Sequence, residues 1–198
     1  MKAKDWDQAY RDGDTPWNKG KTAPPLMEWV NQNDIDGEVL VLGCGEGHDV
    51  RFLANHCKSV TGMDISETAI GLAKNHSILN NVQYICQDFF DESISSAVRY
   101  DWIFEHTFFC AIEPCLRNAY RDQVGKLLKP NGNLLGVFFI ADEHYELVQG
   151  PPYKVSKNYL LEFFGEKFEI IEAYVPNKTY ACRPYGSELV LTMKVQSR

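Results

Sequence analysis

The sequence predicts an α/β fold: a doubly wound, seven-stranded sheet, mostly parallel, with an antiparallel C-terminal strand and helices on both faces. Three observations predict it. Short apolar runs rich in β-formers alternate with amphipathic helical patterns through five strands. The first of these runs, Val39-Leu40-Val41-Leu42, is apolar throughout, as a strand buried on both faces must be. The last two runs, 168–175 and 188–195, follow each other with no helical pattern between them, which suits an antiparallel pair at one edge.

In chain order, residues 1 to about 27 carry Trp6, Tyr10 and Trp17 among charged residues, followed by Pro24-Pro25. Such a segment is either a helix packed on the domain surface or a lid whose aromatics close over a ligand. Leu26, Met27 and Val30 predict a short helix ending near 31–33, and Asp34-Ile35-Asp36-Gly37 is a turn into the first strand. A helix with Val50, Phe52 and Leu53 comes next, then a second strand over 59–65. Ser66 is placed to cap a helix whose apolar face is Ala69, Ile70, Leu72 and Ala73. Residues 82–86 and 100–105 read as the third and fourth strands. A helix through Arg117, Tyr120, Val124, Leu127 and Leu128 stops at Lys129-Pro130-Asn131-Gly132, before a fifth strand over 133–140 and a helix over 156–164. With no internal repeat, low-complexity tract or linker, 1–198 reads as a single domain.

Composition narrows the function. A formal net charge of −7 argues against a nucleic-acid or anionic-membrane surface, which would need a basic footprint. A small-molecule partner is the default. The 6 cysteines form no Cys-x-x-Cys pair and no zinc spacing with His, so neither a metal site nor a disulfide framework is expected. Reduced thiols, a start without an apolar targeting core, and no membrane-length apolar run predict a cytoplasmic protein. It is expected to act as a monomer or weak homodimer.

The chemistry centres on Gly43-Cys44-Gly45-Glu46-Gly47-His48. Glycine there permits positive φ and keeps side chains away from a ligand on the main chain. A dinucleotide loop wants its third glycine at 48, where His48 stands. The tighter spacing resembles the S-adenosylmethionine loop of Rossmann-like methyltransferases. Asp64 ends the second strand about 20 residues on, where doubly wound folds set a carboxylate against ribose hydroxyls. Asp88 and Phe89 follow the third strand, and would meet an adenine amino group and ring face, or be a turn and core. Glu105 ends the fourth strand and would face the ammonium of a methionine moiety. His106 beside it stands where a transferred methyl group would emerge, with an ordinary pKa near 6.5 suited to a base.

Taken together, these blocks resemble the thiopurine S-methyltransferase superfamily, and most closely its thiol and halide methyltransferase branch. The resemblance spans nearly the whole chain. It runs from Trp6, Tyr10 and Gly13-Asp14-Thr15-Pro16-Trp17, through Val41 to Val50, Gly62 to Ser66, Asp88-Phe89-Phe90 and Tyr100 to Glu105. It continues through Thr107 to Ile112, Leu128 to Gly132 and Gly150 to Ser156. It implies that Trp6, Tyr10 and Trp17 form a lid within 1–27, and that these three with Gly43, Gly45, Asp64, Ile65, Asp88, Phe89 and Glu105 hold S-adenosylmethionine, released as S-adenosylhomocysteine. At 106 the thiopurine enzymes carry Arg and the plant halide and thiol branch Tyr, where this chain has His.

The expected reaction is in-line transfer of the sulfonium methyl to a small soft acceptor, a thiol, hydrosulfide or halide. The acceptor pocket is expected to be small and apolar, formed by Trp17, His106, Phe108, Phe109, Cys110 and Tyr153. His106 is the expected catalytic group, accepting the thiol proton or stabilising the thiolate, with Tyr153 beside it. A base role predicts that His106→Phe costs more with a thiol than with iodide. Plain core packing is the alternative for at least one of Phe108 and Phe109, and a stiff connector for Pro151-Pro152-Tyr153; Arg183 and Tyr185, before the last strand, either reach the pocket mouth or, the favoured reading, are solvated in the loop. Rival functions are a thiopurine-type or small-metabolite O-methyltransferase, a nucleotide-binding oxidoreductase, and a cofactor-binding module without turnover.

Overall fold

The apolar run after the first turn forms β1 (Glu38–Leu42), and its side chains divide between the two faces of the sheet as a strand's alternation requires. Leu40 and Leu42 enter one core with Ile103, Tyr120, Phe138 and Phe164, while Val39 and Val41 enter another with Leu26, Trp29, Val50 and Leu53. A computed structural model supplies this architecture; it describes residues 5–76, 79–91, 94, 99–141 and 150–196, so residues 1–4 of the expected lid lie outside the described part.

β1 pairs in parallel with β2 (Ser59–Asp64) on one side and with β4 (Tyr100–His106) on the other. β3 (Val82–Cys86) lies outside β2, and β5 (Leu128–Phe139) lies beyond β4, both parallel. β7 (Glu188–Val195) inserts antiparallel between β5 and the edge strand β6 (Phe168–Tyr174). The resulting order, β3-β2-β1-β4-β5-β7-β6, reverses between β1 and β4, and a doubly wound sheet opens its ligand crevice at the carboxyl ends of such a pair.

The helices have the caps their sequences prescribe. Ser66 accepts the Ala69 N–H at 3.0 Å to start α4 (Glu67–Asn75), and Ser156 accepts the Tyr159 N–H at 3.1 Å to start α6 (Lys157–Gly165). α1 (Trp6–Asp12) is capped by Asp5 and packs on α4; α2 (Pro24–Val30) and α3 (His48–Leu53) flank β1, and α5 (Arg117–Leu127) precedes β5.

Two boundaries differ from expectation. β4 runs one residue further and takes in His106, paired with Val137. The turn expected at 129–132 is absorbed into β5 as an irregularity: the register jumps from Tyr100↔Leu128 to Trp102↔Asn133, with Asn131 at φ 66°. The surplus residues after α5 are taken up inside the ladder rather than in a separate loop. No helix among the described residues is long and apolar enough to cross a membrane.

Candidate active site

Behind β1 the backbone turns through Gly43, Gly45 and Gly47 at φ 56°, 51° and 75°, a region that costs an L-side chain about 1–2 kcal/mol. Space enforces glycine as well: a Cβ on Gly43 would stand 2.6 Å from Phe108 Cδ2, and one on Gly45 would stand 2.6 Å from Tyr10 Oη. Asp64, at the end of β2, accepts the Gly45 N–H at 2.8 Å through one carboxylate oxygen and the Ser66 N–H at 3.0 Å through the other. That carboxylate ties the glycine turn to the neighbouring strand. Burial pushes its pKa up, against the pull of those N–H donors.

Over this crest lies a cavity of about 430 Å³ that brings together Trp6, Tyr10, Trp17, Gly43, Asp64 and Ile65 with His106, Phe108 and Cys110. An adjoining recess of about 220 Å³ shares Trp6, Gly43, Asp64 and Ile65 and adds Asp88 and Phe89. Gly45 does not line either space; it acts through its bond to Asp64 and its closeness to Tyr10. The aromatics of the N-terminal segment are fitted edge to face: Trp17 lies 5.2 Å from Trp6 and 5.9 Å from Tyr10, and Trp17 Nε1–H donates to Tyr10 Oη at 3.2 Å. The segment has features of both readings: α1 is a helix packed on α4, and Trp6, Tyr10 and Trp17 line the cavity.

Besides Gly45, three expected contact residues line neither space. Glu105 is fully buried, and its Oε2 accepts the N–H groups of Phe108 at 3.0 Å and Phe109 at 2.8 Å. It therefore holds the turn after β4, where Thr107 sits at φ 62°, instead of facing an ammonium group in the crevice. Burial lifts its pKa to about 7 despite the two backbone donors. Phe109 is core, 5.4 Å from Tyr120 and 5.6 Å from both Phe138 and Phe164. Tyr153 turns its hydroxyl away to donate to Glu113 Oε1 at 2.9 Å, while its N–H donates to Cys110 O at 2.6 Å. Its neighbours Pro151 and Pro152 line the cavity instead. Through these two bonds Tyr153 braces the wall of the cavity.

His106 presents its ring to the cavity from the end of β4. Nδ1 lies 3.7 Å from Asp49 Oδ2 and Nε2 lies 3.5 Å from Glu188 Oε1, with the Tyr180 ring stacked at 5.9 Å. Those separations exceed hydrogen-bond length but place the ring between two negative charges. Burial works to lower the His106 pKa, and the two carboxylates overcome it and raise it to about 9. Of the two roles expected of His106, accepting the thiol proton or stabilising the thiolate, a pKa raised by two carboxylates favours the second. Cys110 donates to Thr107 O at 3.3 Å, and burial pushes its thiol up to about 12, which leaves it inert.

Sequence reasoning passed over Asp49, Tyr180 and Glu188, the three groups around His106. It assigned Arg183 to solvent, yet the guanidinium is 10% exposed, lines the cavity, lies 4.3 Å from the Phe139 ring and stands 3.3 Å from Glu188 Oε1. Tyr185, given the same assignment, is 76% exposed.

The residues present fit S-adenosylmethionine. Glycines admit a ligand to the main chain, a buried carboxylate closes β2, and an aromatic cover suits a sulfonium cation. The family described as Thiopurine S-methyltransferase matches residues 1–182. "Probable thiol methyltransferase 2" of Arabidopsis thaliana is 40% identical, over 76% of this chain and 67% of its own length. "Thiocyanate methyltransferase 1" of Brassica oleracea is 36% identical over the same shares. The fold matches that of the N-methyltransferase NodS from Bradyrhizobium japonicum, solved with S-adenosyl-L-homocysteine, at a TM-score of 0.68, covering 98% of this chain and 90% of that one with 17% identity. S-adenosylmethionine is the cofactor of this chain. On the family match and the plant relatives, the chain belongs to the thiopurine S-methyltransferase family and is an S-adenosylmethionine-dependent methyltransferase.

Proposed function

We propose that the protein methylates a small, soft, anionic nucleophile, a thiolate, hydrosulfide or halide, held by the His106 cation. The observation that carries this reading is the buried His106 ring, set between the Asp49 and Glu188 carboxylates and lining the same cavity as Trp6, Tyr10 and Trp17. When bound, S-adenosylmethionine supplies a sulfonium methyl group that is electrophilic without further activation. The chain's own work is then placement, charge and exclusion of water.

Gly43 and Gly45 give the ligand access to the main chain, and Asp64, Asp88, Phe89 and Ile65 line the part of the crevice that suits an adenosyl group. Trp6, Tyr10 and Trp17 form the cover. His106 and Phe108 face the acceptor: the first attracts its charge, and the second gives it an apolar wall. With the proton already on His106, no base is offered for a neutral hydroxyl, which disfavours an oxygen acceptor. A thiol would enter as the thiolate that the imidazolium favours. The names of the Arabidopsis and Brassica relatives, thiol and thiocyanate methyltransferase, support this acceptor class. The same reading makes 1–198 one methyltransferase domain with 1–27 as its lid, working in the cytoplasm on a small molecule, without nucleic acid, as a monomer or weak homodimer.

Labelled S-adenosylmethionine offered with iodide, thiocyanate, hydrosulfide, small thiols and a hydroxylated aromatic tests the proposal. Transfer to the soft anions is expected, with His106→Gln weakening iodide and thiol methylation alike. Transfer to the hydroxyl alone, or a loss confined to thiols, would overturn the assignment of the cation.

A further inference from the structure

Asp49 is the second residue of α3, immediately behind the glycine turn, and its carboxylate faces two ways. Oδ1 accepts the Ala23 N–H at 2.8 Å, and Oδ2 looks at His106 Nδ1 from 3.7 Å. Ala23 is wholly buried and ends the strap that carries Trp17 over the cavity. That strap is fastened at few points. Asn18 Nδ2–H donates to Glu46 Oε1 at 2.6 Å, Thr22 Oγ1–H donates to His48 O at 3.2 Å, and Tyr180 Oη–H donates to Lys21 O at 2.9 Å. Tyr180 is also the ring stacked on His106. Two of the three groups around the imidazole, Asp49 and Tyr180, thus also fasten the strap at 23 and 21.

Charge around the ring is unevenly shared. Glu188 is 1% exposed, but Arg183 Nη1 stands 3.3 Å from the same oxygen that faces His106. Asp49 has His106 as its single ion-pair partner among the described residues. The charged and titratable groups bearing on the ring are Asp49 from α3, Glu188 from β7, Tyr180 and Arg183 from the loop before β7, and Glu105 from its own strand. Asp49 and Tyr180 both join the acceptor end of the cavity to its cover, and of the two carboxylates beside the ring Asp49 is the one that also bonds the strap.

We propose that Asp49 is a positioning residue with two roles, seating the strap beneath Trp17 and keeping His106 charged for the incoming nucleophile. One carboxylate thereby sets both the closure of the site and its affinity for an anion. The second half of this rests on the anionic-acceptor reading above; the first half does not.

The two roles separate by substitution. Asp49→Asn keeps an oxygen for the Ala23 N–H and removes the charge, whereas Asp49→Ala removes both. NMR titration of the His106 ring in protein without ligand, assigned with His106→Gln, reads the charge directly. The midpoint is expected to fall by about one pH unit or more in both variants. Calorimetry with S-adenosylhomocysteine reads the strap: near wild-type affinity for Asp49→Asn, and a loss of about tenfold for Asp49→Ala, the cost of a buried N–H left unpaired. With iodide, KM for Asp49→Asn is expected to rise about tenfold at alkaline pH and to recover in acid, where the ring is protonated regardless. A His106 midpoint unmoved by Asp49→Asn overturns the proposal, as does equal cofactor affinity for the Asn and Ala variants. Failure of the proposed acceptor class alone would appear as no transfer to any soft anion with the His106 shift intact, so the two failures are distinct.

Discussion

His106→Gln removes a cation that is 10% exposed and lies between the Asp49 and Glu188 carboxylates at 3.7 and 3.5 Å, which makes the effect of pH on folding calculable. The folded pKa is raised from 6.5 to about 9, so folding binds a proton more tightly than the unfolded chain does. That stabilisation is fully present below the unfolded value of 6.5 and is lost as pH rises through about 9. At about 1.4 kcal/mol per pH unit of displacement, it amounts to roughly 3 kcal/mol. Urea unfolding of wild type and variant at about pH 6 and about pH 10 gives four free energies, and groups common to both proteins cancel in the difference. The advantage of the wild type over His106→Gln is expected to shrink by roughly 3 kcal/mol between the two conditions. An advantage that stays constant would show that the carboxylates do not outweigh burial. One that grows with pH would show a depressed His106 pKa, and with it a neutral ring at the acceptor site.

Further outcomes are expected at three other residues. Glu105→Gln keeps an oxygen for the Phe108 and Phe109 N–H groups, while Glu105→Ala orphans both and is expected to cost about 2–4 kcal/mol in chemical denaturation. Because the Glu105 pKa is raised from 4.5 to about 7, wild type should lose stability as pH rises across that interval, and Glu105→Gln should flatten the loss in the same melts. Gly43→Ala puts a Cβ 2.6 Å from Phe108 Cδ2 at φ 56°, and is expected to lower stability by about 1–2 kcal/mol and cofactor affinity more than tenfold by calorimetry. Tyr10→Phe deletes the acceptor of the Trp17 Nε1–H, and should weaken S-adenosylhomocysteine binding about fivefold, the worth of one hydrogen bond of about 1 kcal/mol.

What the sequence revealed was local or rested on strand ends. The run at 39–42, the glycine spacing, the Ser66 and Ser156 caps and the carboxylate at 64 each carry their reason within a few residues. Glu105 and His106 show where that legibility stops. Successive strand residues point to opposite faces, so one of this polar pair had to turn inward, and nothing adjacent in the chain says which. Ile103 joins the core that holds Phe109 and Tyr120, and Phe104 joins the one that holds Tyr180, so alternation sends Glu105 inward with Ile103 and leaves His106 at the crevice. The charge on His106 was equally hidden, because its partners come from α3 and β7, on opposite sides of it in the sequence. Tyr153 was misjudged because an aromatic after two prolines carries no sign of Glu113, the carboxylate that claims its hydroxyl.

The direction of β7 has a consequence for how the enzyme is assembled. In a strand parallel to its neighbours, the leading residue sits at the far rim from the ligand; because β7 runs the other way, Glu188 at its head arrives beside His106. In a sheet of parallel strands alone, that carboxylate would lie at the opposite rim, so the second counter-charge beside the His106 ring depends on the reversal of one strand.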